Sequence, residues 1–336
     1  MMCSSSESLF SPSSPLSNVE QFLLSVTPHV PSSSLFPKSC VKELNIQWLP
    51  FGKDKIDYFT LKDLWECYEE WSAWGVGTPV MLEDGDTLIQ YYVPYLSAIE
   101  IYTTKSVVAS RNRREDGDSV ELGSDSSLSD DDISRSLSNN SSKAWDVSSF
   151  NSRSHQEGSW PTRDMLGYLY LQYNEKSSPR TRVPFLHKIS ELAQSYPALM
   201  TLKSVDISPA SWMAVAWYPI YTIPNQASEK DTTTCFLTYH TLSSSFQDCA
   251  DNGIGKNICS CNCWGSDEGD QCKEQDHSFI SLTPFGLASY KLQRNIWLSS
   301  SFNGQRMYDL YSAADSWLKQ LNAHHDDFNF FRLRSD

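Results

Sequence analysis

The chain has 336 residues, of which 40% are hydrophobic and 12% aromatic, and its formal net charge is −14. That composition can build a large core, whereas the negative charge argues against nonspecific binding to nucleic acid or to an anionic membrane. No apolar stretch is long enough to cross a bilayer, and residues 1–7 lack the basic and apolar regions of a secretory signal. With an odd number of cysteines, nine, the sequence predicts a soluble protein of the cytoplasm or nucleus with reduced thiols.

The first predicted element is a helix that follows a polar N-terminus. Residues 1–16 are rich in Ser and Pro, and we expect them to be disordered. Ser17 and Glu20 form the Ser-x-x-Glu pattern of a capping box. Apolar residues then recur at helical spacing up to Val26, and Pro28 ends the helix.

Further helices and strands alternate irregularly along the rest of the chain. Apolar spacing predicts helices at 60–74, 184–196 and 304–322. Strands are predicted at 79–82, 87–93, 98–102, 167–173, 211–224, 234–242, 279–282 and 287–292. An Asp-Gly turn before residue 87 indicates a hairpin, and strict β-α-β alternation is missing. We therefore predict an α+β fold with a mainly antiparallel sheet packed with several helices.

Two long polar segments interrupt this pattern. Residues of about 105–160 and 243–276 are dominated by small polar and charged side chains, which cannot bury enough surface to become ordered. Strand patterns resume directly after each of them. The sequence therefore predicts a single α+β domain over 17–331 with two disordered insertions, followed by a short tail at 332–336.

The segment 211–224 is the most apolar and aromatic part of the chain. We expect it to be a core strand, bulged or at a sheet edge where Pro219 cannot donate a hydrogen bond. Trp212 and Trp217 are five residues apart, so they should lie on opposite faces, at least one of them buried. The candidate binding residues in and beside this strand are Trp212, Trp217, Tyr218, Tyr221 and His240.

Several long segments, in order along the chain, resemble the plant DUF789 family of proteins of unknown function. The matching segments are NVEQFL at 18–23, LWE at 64–66, EWSAWGVG at 70–77, QYYVPYLS at 90–97, SPASW at 208–212, AVAWYPIY at 214–221, CFLTYH at 235–240, ADSWL at 314–318 and FNFF at 328–331. The resemblance covers about 17–331, apart from the two polar segments. It implies that the protein comes from a plant, and it assigns no catalytic residue. Thr222 stands where the family commonly carries arginine, so no anion-binding role is carried over to that position.

Two clusters contain residues that bind metals in other proteins. Cys249, Cys259, Cys261, Cys263 and Cys272, with His277 after them, offer thiolate and imidazole ligands for zinc. However, the paired Cys-x-x-Cys spacing is missing, so we favour incidental thiols over the alternative site at Cys259, Cys261, Cys263 and Cys272.

The second cluster is the sequence HHDD at 324–327, which we interpret as a polar cap at a helix C-terminus rather than a metal site. No metal and no cofactor is predicted for the chain.

Motifs of known catalytic chemistry, such as Gly-x-Ser-x-Gly, the P-loop and His-Glu-x-x-His, are absent from the sequence. Asp206, Ser211 and His240 are the residue types of a catalytic triad, and Asp315 is a further acid near aromatic residues. We favour turn and cap roles for Asp206 and Ser211, a half-buried strand position for His240 and an ordinary helical position for Asp315.

A serine-rich acidic run at 124–132 is typical of substrates of acid-directed kinases. Its candidate phosphorylation sites are Ser124, Ser126, Ser127 and Ser129.

The favoured hypothesis is a non-enzymatic interaction or regulatory module that binds an unidentified protein partner and carries phosphorylatable loops. The alternative is an enzyme or a small-molecule-binding protein with an uncharacterised pocket. A flat exposed aromatic patch would favour the first hypothesis. A deep pocket at which His240, Asp206 or Ser211 converge would favour the second.

Overall fold

The computed structural model describes residues 16–37, 55–82, 85–103, 166–223, 233–244, 279–298 and 301–332. The helices are α1 (Asn18–Ser25), α2 (Leu61–Glu66), α3 (Glu69–Trp74), α4 (Phe185–Ser195), α5 (Arg294–Trp297), α6 (Ser301–Leu321) and α7 (Asp326–Arg332). The strands are β1 (His29–Pro31), β2 (Ser33–Pro37), β3 (Lys55–Tyr58), β4 (Val76–Met81), β5 (Thr87–Thr103), β6 (Tyr168–Asn174), β7 (Trp212–Ile223), β8 (Cys235–Thr241), β9 (Phe279–Ser281) and β10 (Gly286–Tyr290).

Six of the strands form one antiparallel sheet. Its order is β10-β8-β7-β5-β4, and β6 also pairs with β5. Strands β1 and β9 form a separate pair, as do β2 and β3. Helices pack on both faces of the large sheet, so the predicted α+β fold with a mainly antiparallel sheet is confirmed.

Strand β5 is the centre of the sheet and runs unbroken over 17 residues. The sequence predicted two strands separated at Pro94, which is wrong. Pro94 lies opposite Trp217 within the ladder with β7, and the strand continues on both sides. The pairing of β5 with β7 is irregular at Ser97, which is an extra residue between the paired positions Leu96 and Ala98.

The predicted helix at 60–74 is two helices, α2 and α3. Thr60 caps α2 in a capping box with Asp63. At its end, the Cys67 and Tyr68 amides donate to the carbonyl oxygens three residues earlier, which tightens the last turn and redirects the chain. The fully buried Tyr68 ring fixes this change of direction in the core.

The larger core lies on the face of the sheet that α1 to α5 cover. Phe22 of α1 stands at its centre, with ring centroids 4.1 Å from Phe236, 5.3 Å from Tyr92 and 6.2 Å from Trp297. The Ser17–Glu20 capping box that begins α1 is present, as predicted. This aromatic packing attaches α1 and α5 to the same side of β5, β7 and β8.

A smaller core lies on the other face, under α6 and α7. The strand residues there are mostly small, including Ala98, Ala214 and Ala216, so the helices can approach closely. A Cβ at Gly286 would lie only 2.8 Å from the Ala314 Cβ, which shows how tightly α6 packs on β10.

The two strand tryptophans lie on opposite faces, as their spacing predicted. Trp217 belongs to the larger core and Trp212 to the smaller one, and both are buried. β7 is irregular beside Pro219: Tyr91 pairs with Tyr221 and Tyr92 with Pro219, which leaves Ile220 as an extra residue. The predicted bulge at Pro219 is therefore confirmed.

A deletion tests the prediction that the fold does not need the first polar insertion. Thr103 and Tyr168 pair at the ends of β5 and β6, so residues 104–167 connect two neighbouring strand ends. We expect removal of 108–157 to leave the fold intact, with stability equal or about 1 kcal/mol higher, because the closed loop is shorter. Urea unfolding of the deleted and full chains checks this; loss of cooperative unfolding in the deleted chain would show that the segment is needed for the fold.

Candidate functional site

An exposed apolar cluster lies where β4, the start of β5 and the end of β7 meet. We call it the aromatic patch, and it consists of Trp74, Ile89, Tyr91, Ile220 and Tyr221. Trp74 is 71% exposed, Ile220 48%, Tyr221 46% and Ile89 39%, while Tyr91 is half-buried. Exposed large apolar residues are ordinary one at a time, but a contiguous group of this kind is typical of an interaction surface.

Cross-strand packing positions the centre of the aromatic patch. Tyr91 and Tyr221 are register partners, and their rings stack with centroids 4.4 Å apart and planes at 17°. Gly77 lies opposite Tyr91 on β4, and a Cβ there would be 3.0 Å from Ile89 Cγ2 and 3.2 Å from Tyr91 Cζ. The missing side chain therefore lets Ile89 and Tyr91 lie over β4.

A second glycine shapes the border of the patch. Gly75 ends α3 with φ of +79°, a conformation that glycine adopts at no steric cost. A Cβ at Gly75 would lie 3.2 Å from Ile220 Cδ1, so the side chain of the bulge residue packs directly against this glycine. Trp74, the last residue of α3, precedes this glycine: its carbonyl oxygen lies 3.5 Å from the Tyr221 hydroxyl, and its side chain is exposed.

The neighbouring edge of the sheet is protected against pairing with another strand. The Asn18 side chain donates to the Met81 carbonyl at 2.8 Å and accepts from the Met81 amide at 2.7 Å. Pro79, in the middle of β4, has no amide hydrogen to offer. A partner would therefore contact this end of the sheet through the side chains of the aromatic patch rather than by extending the sheet.

The predicted binding residues are distributed among three environments. Trp212 and Trp217 are buried, and their indole nitrogens donate to Glu100 at 3.2 Å and Thr238 at 2.9 Å. Tyr221 belongs to the aromatic patch. Tyr218 is half-buried, with its ring centroid 5.7 Å from that of Tyr95, and burial raises the pKa of its hydroxyl.

His240 is fully buried, so the expectation of a half-buried position is wrong. Its Nδ1 donates to the Leu282 carbonyl at 2.8 Å, and its Nε2 accepts from the Thr238 hydroxyl at 2.9 Å. That hydroxyl accepts in turn from the Trp217 indole. We assign the Nδ1-protonated tautomer from this chain of hydrogen bonds. Burial lowers the pKa of His240 to about 4, so the ring is neutral at pH 7.

The other residues of triad type have separate hydrogen-bond partners. The Ser211 hydroxyl accepts from the Tyr102 amide at 2.9 Å, and the Asp206 amide donates to the Lys203 carbonyl within a turn. Asp315 pairs with Lys319 on the surface of α6. In the part of the chain that the structure describes, no hydrogen bond joins these three residues to His240. A catalytic role for them stays an untested hypothesis.

A buried polar network at the start of α7 has no counterpart among the residues predicted to form a site. The sequence HHDD at 324–327 predicts a polar cap at a helix C-terminus, whereas His325 and Asp327 are buried, 2% and 7% exposed, where α7 begins. The Arg182 guanidinium donates to both Asp327 oxygens, at 2.7 and 2.6 Å. The interpretation failed because Arg182 is 145 residues away in sequence and no local pattern relates the two.

Ser97 and Tyr239 complete this network. The Ser97 hydroxyl donates to Asp327 and lies 2.8 Å from His325 Nε2, which then donates to it. His325 Nδ1 accepts from the Tyr239 hydroxyl at 2.7 Å. The network thus assigns the Nε2-protonated tautomer to His325. Ser97 is the extra residue of β5, and because of the irregularity Ala98 shares with it the face that α7 covers.

Burial and the neighbouring charges shift the pKa values of these groups. Burial lowers the pKa of His325 to about 4, although the Asp327 carboxylate acts in the opposite direction. Burial also opposes the charge of Arg182, but its hydrogen bonds and attraction to Asp327 prevail and raise its pKa. Burial raises the pKa of Tyr239 well above its ordinary value, with a contribution from Asp327. All the hydroxyl and imidazole groups of the network are therefore neutral at pH 7.

The two buried histidines predict acid lability. The folded-state pKa of His240 and of His325 is about 4, against about 6.5 for the ordinary group. As the pH falls below 6.5 the unfolded chain takes up protons that the folded chain does not, so stability is complete above pH 6.5 and declines towards pH 4. We expect a loss of roughly 3 kcal/mol per histidine at most.

Urea unfolding at a series of pH values measures this decline. The exposed His187 is the matched control, and a His187→Gln chain should keep the same dependence. Equal free energies of unfolding at pH 7 and pH 4.5 would contradict the neutral, buried state of both histidines.

A cavity of about 330 Å³ lies beside the network, between the end of α6 and α7. Residues at its wall include Lys319, Asn322, His324, Phe328 and Arg332. Within the ranges that the structure describes, no three His, Cys, Asp or Glu side chains are grouped closely enough to hold a metal ion. The alternative zinc ligands Cys259, Cys261, Cys263 and Cys272 lie outside those ranges, as do Ser124, Ser126, Ser127 and Ser129.

Comparison with known proteins agrees with the resemblance seen in the sequence. The family described as "Protein of unknown function (DUF789)" matches residues 17–331. The chain belongs to this family. No curated protein and no solved structure matches it. None of the described helices of this DUF789 protein is long and apolar enough to span a membrane. Membership brings no activity with it, so a function has to be inferred from the geometry of the chain itself.

Proposed function

We propose that this DUF789 protein is a non-enzymatic interaction module that docks a partner protein on the aromatic patch. The observation that carries the proposal is the contrast between two halves of one sheet face. Under α6 and α7 the strand side chains are buried and mostly small, whereas at the other end Ile89 and Tyr221 are exposed, and the exposed Trp74 adjoins them, its carbonyl oxygen 3.5 Å from the Tyr221 hydroxyl. Trp and Tyr are enriched among the residues that contribute most to binding between proteins.

The aromatic patch is also arranged before any partner binds. Its rings belong to strands in the middle of the sheet or, in the case of Trp74, to the end of a helix. The Tyr91–Tyr221 stack already restricts both side chains. Association orders flexible side chains at a cost, so a surface that is already ordered retains more of the free energy of contact.

Selection from a displayed peptide library on the full chain tests the proposal. We expect binders whose affinity falls about tenfold or more in Trp74→Ala and in Tyr221→Ala, as at other interface positions of high energy. Tyr308→Ala is the matched control, because Tyr308 is 66% exposed on α6, away from the patch. Trp74→Ala and Tyr308→Ala should leave the free energy of unfolding within about 0.5 kcal/mol, and Tyr221→Ala, which loses the stack on Tyr91, should lower it by no more than about 1.5 kcal/mol. A selection without binders, or binders that tolerate both patch substitutions, would refute the proposal.

Regulation by phosphorylation is part of the same proposal. Ser124, Ser126, Ser127 and Ser129 stand in an acidic run, and each phosphate would add about −1.5 to −2 charges. We place the protein in the cytoplasm or nucleus on the composition of the chain. We also propose that 17–331 forms one domain, supported by the pairing of β5 with β6 and β7 across the insertion.

A small-molecule-binding function is the second candidate, and the cavity beside His325 favours it. The cavity is lined by polar side chains, including Asn322 and Arg332, and by apolar ones, including Phe328. A screen of metabolite-like compounds by thermal shift tests this candidate. A compound that stabilises the full chain but not an Asn322→Leu chain would support binding there.

A further inference from the structure

We infer that the partner segment docked on the aromatic patch combines apolar or aromatic side chains with flanking Lys or Arg residues. This inference rests on the proposed function of the aromatic patch and adds the chemical class of its occupant. It is carried by the charges around the patch, by the exposed ring faces within it and by the protected edge of β4.

The elements that build the aromatic patch carry no basic residue. Helix α3 and strands β4, β5 and β7 contain no Lys or Arg, whereas Glu69 and Glu70 are exposed on α3. Glu70 is four residues before Trp74, so the two side chains share one side of the helix. Asp86, exposed next to the start of β5, adds a negative charge at the opposite border. The rim that Glu69, Glu70 and Asp86 form around the patch is therefore acidic. The whole chain is acidic too, with a net charge of −14.

The apolar surface inside this rim is aromatic. The faces of Trp and Tyr rings carry negative electrostatic potential and attract Lys ammonium and Arg guanidinium groups. The chain already uses this contact elsewhere, with the Arg182 guanidinium carbon 5.9 Å from the Tyr218 ring centroid. A basic side chain of a partner would find both an exposed ring at Trp74 and a carboxylate at Glu70 within one turn of α3.

The same charges disfavour other occupants. A second copy of the chain would bring an identical acidic rim and another net charge of −14, and an anionic lipid surface would also be repelled. Strand addition at β4 is blocked by the Asn18 side chain bound to Met81 and by Pro79. The occupant that fits the acidic rim, the exposed rings and the protected edge is a polypeptide segment that lies across the aromatic patch and binds through its side chains.

Three synthetic peptides test the inference on the full chain. They share one core of Leu and Trp and differ only in their flanks, which are Lys/Arg, Gln or Glu. We expect the basic peptide to bind about tenfold or more tightly than the Gln peptide and the Glu peptide to bind most weakly, with the difference shrinking as salt rises. Fluorescence anisotropy measures each affinity.

Matched variants locate the effect. Glu69→Gln combined with Glu70→Gln should weaken the basic peptide severalfold and leave the Gln peptide unchanged, while Trp74→Ala should weaken both. Asp309→Asn is the control, an exposed acid on α6 away from the patch. Equal binding of the basic and Glu peptides, still dependent on Trp74, would overturn the inference and leave the docking function standing. Binding of none of the peptides, or binding insensitive to Trp74→Ala, would overturn both.

Discussion

Replacing Asp327 with alanine should lower the free energy of unfolding by about 3–5 kcal/mol. The substitution leaves the Arg182 guanidinium, 3% exposed at its side chain, without the carboxylate that binds it through two hydrogen bonds. It also removes the acceptor of the buried Ser97 hydroxyl. An uncompensated buried charge is among the most destabilising changes in a folded protein. Urea unfolding at pH 7 measures the loss.

Two comparisons distinguish the cost of leaving a buried charge unpaired from the cost of losing any ion pair. Lys62 and Glu66 form a pair at 3.4 Å with both side chains 57% exposed, and Glu66→Ala should cost less than about 1 kcal/mol. Arg182→Met combined with Asp327→Leu should recover much of the stability lost in Asp327→Ala, because neither charge then remains buried. If Asp327→Ala were no more destabilising than Glu66→Ala, the network at α7 would not be closed to water.

Truncating either strand tryptophan to alanine should cost about 3–5 kcal/mol. Trp217 of β7 is fully buried. Its ring centroid lies 5.9 Å from that of Trp71 on α3 and 6.2 Å from that of Tyr68. Trp212 is 1% exposed on the opposite face, 5.8 Å from Tyr239. Each truncation leaves a large cavity and removes an indole hydrogen bond, so both cores should be affected independently.

The exposed Trp74 is the internal control for these truncations. Trp74→Ala removes the same number of atoms from a side chain that is 71% exposed and should change stability by no more than about 0.5 kcal/mol. Chemical unfolding compares the three variants in one series. Unchanged free energies at Trp212 and Trp217 together would exclude β7 from the core.

Local patterns in the sequence predicted the elements that local chemistry determines. The Ser17–Glu20 capping box, the bulge beside Pro219 and the opposite faces of Trp212 and Trp217 each follow from residues a few positions apart. The antiparallel arrangement followed from the hairpin signal and the missing β-α-β alternation. What these features share is that no distant contact is needed to fix them.

The candidate sites depend on contacts between residues far apart in the chain, which no local pattern indicates. Ser97 and His325 are 228 residues apart, and only the folded sheet shows that the serine on β5 lies against α7. Trp74 is exposed at the end of α3, which the helical pattern at 60–74 did not separate from α2. Tyr221 could be named from its aromatic strand, but its stacking partner could not.

The aromatic patch and the cavity beside His325 offer two distinct places for function in this DUF789 protein. The patch is open, apolar and bordered by acids, whereas the cavity is mostly polar and adjoins the buried network of His325 and the Arg182–Asp327 ion pair. A protein partner suits the first surface and a small molecule the second. Finding which of them a bound peptide contacts therefore tests the docking function directly.

Photo-crosslinking locates that contact. The basic peptide, with a benzophenone side chain in its apolar core, is irradiated on the full chain, and the modified residues are identified by mass spectrometry. Docking on the aromatic patch predicts adducts at Trp74, Ile89, Tyr91, Ile220 or Tyr221, and their loss when an unlabelled peptide competes. Competed adducts confined to α6 and α7, around Asn322 and Phe328, would contradict it.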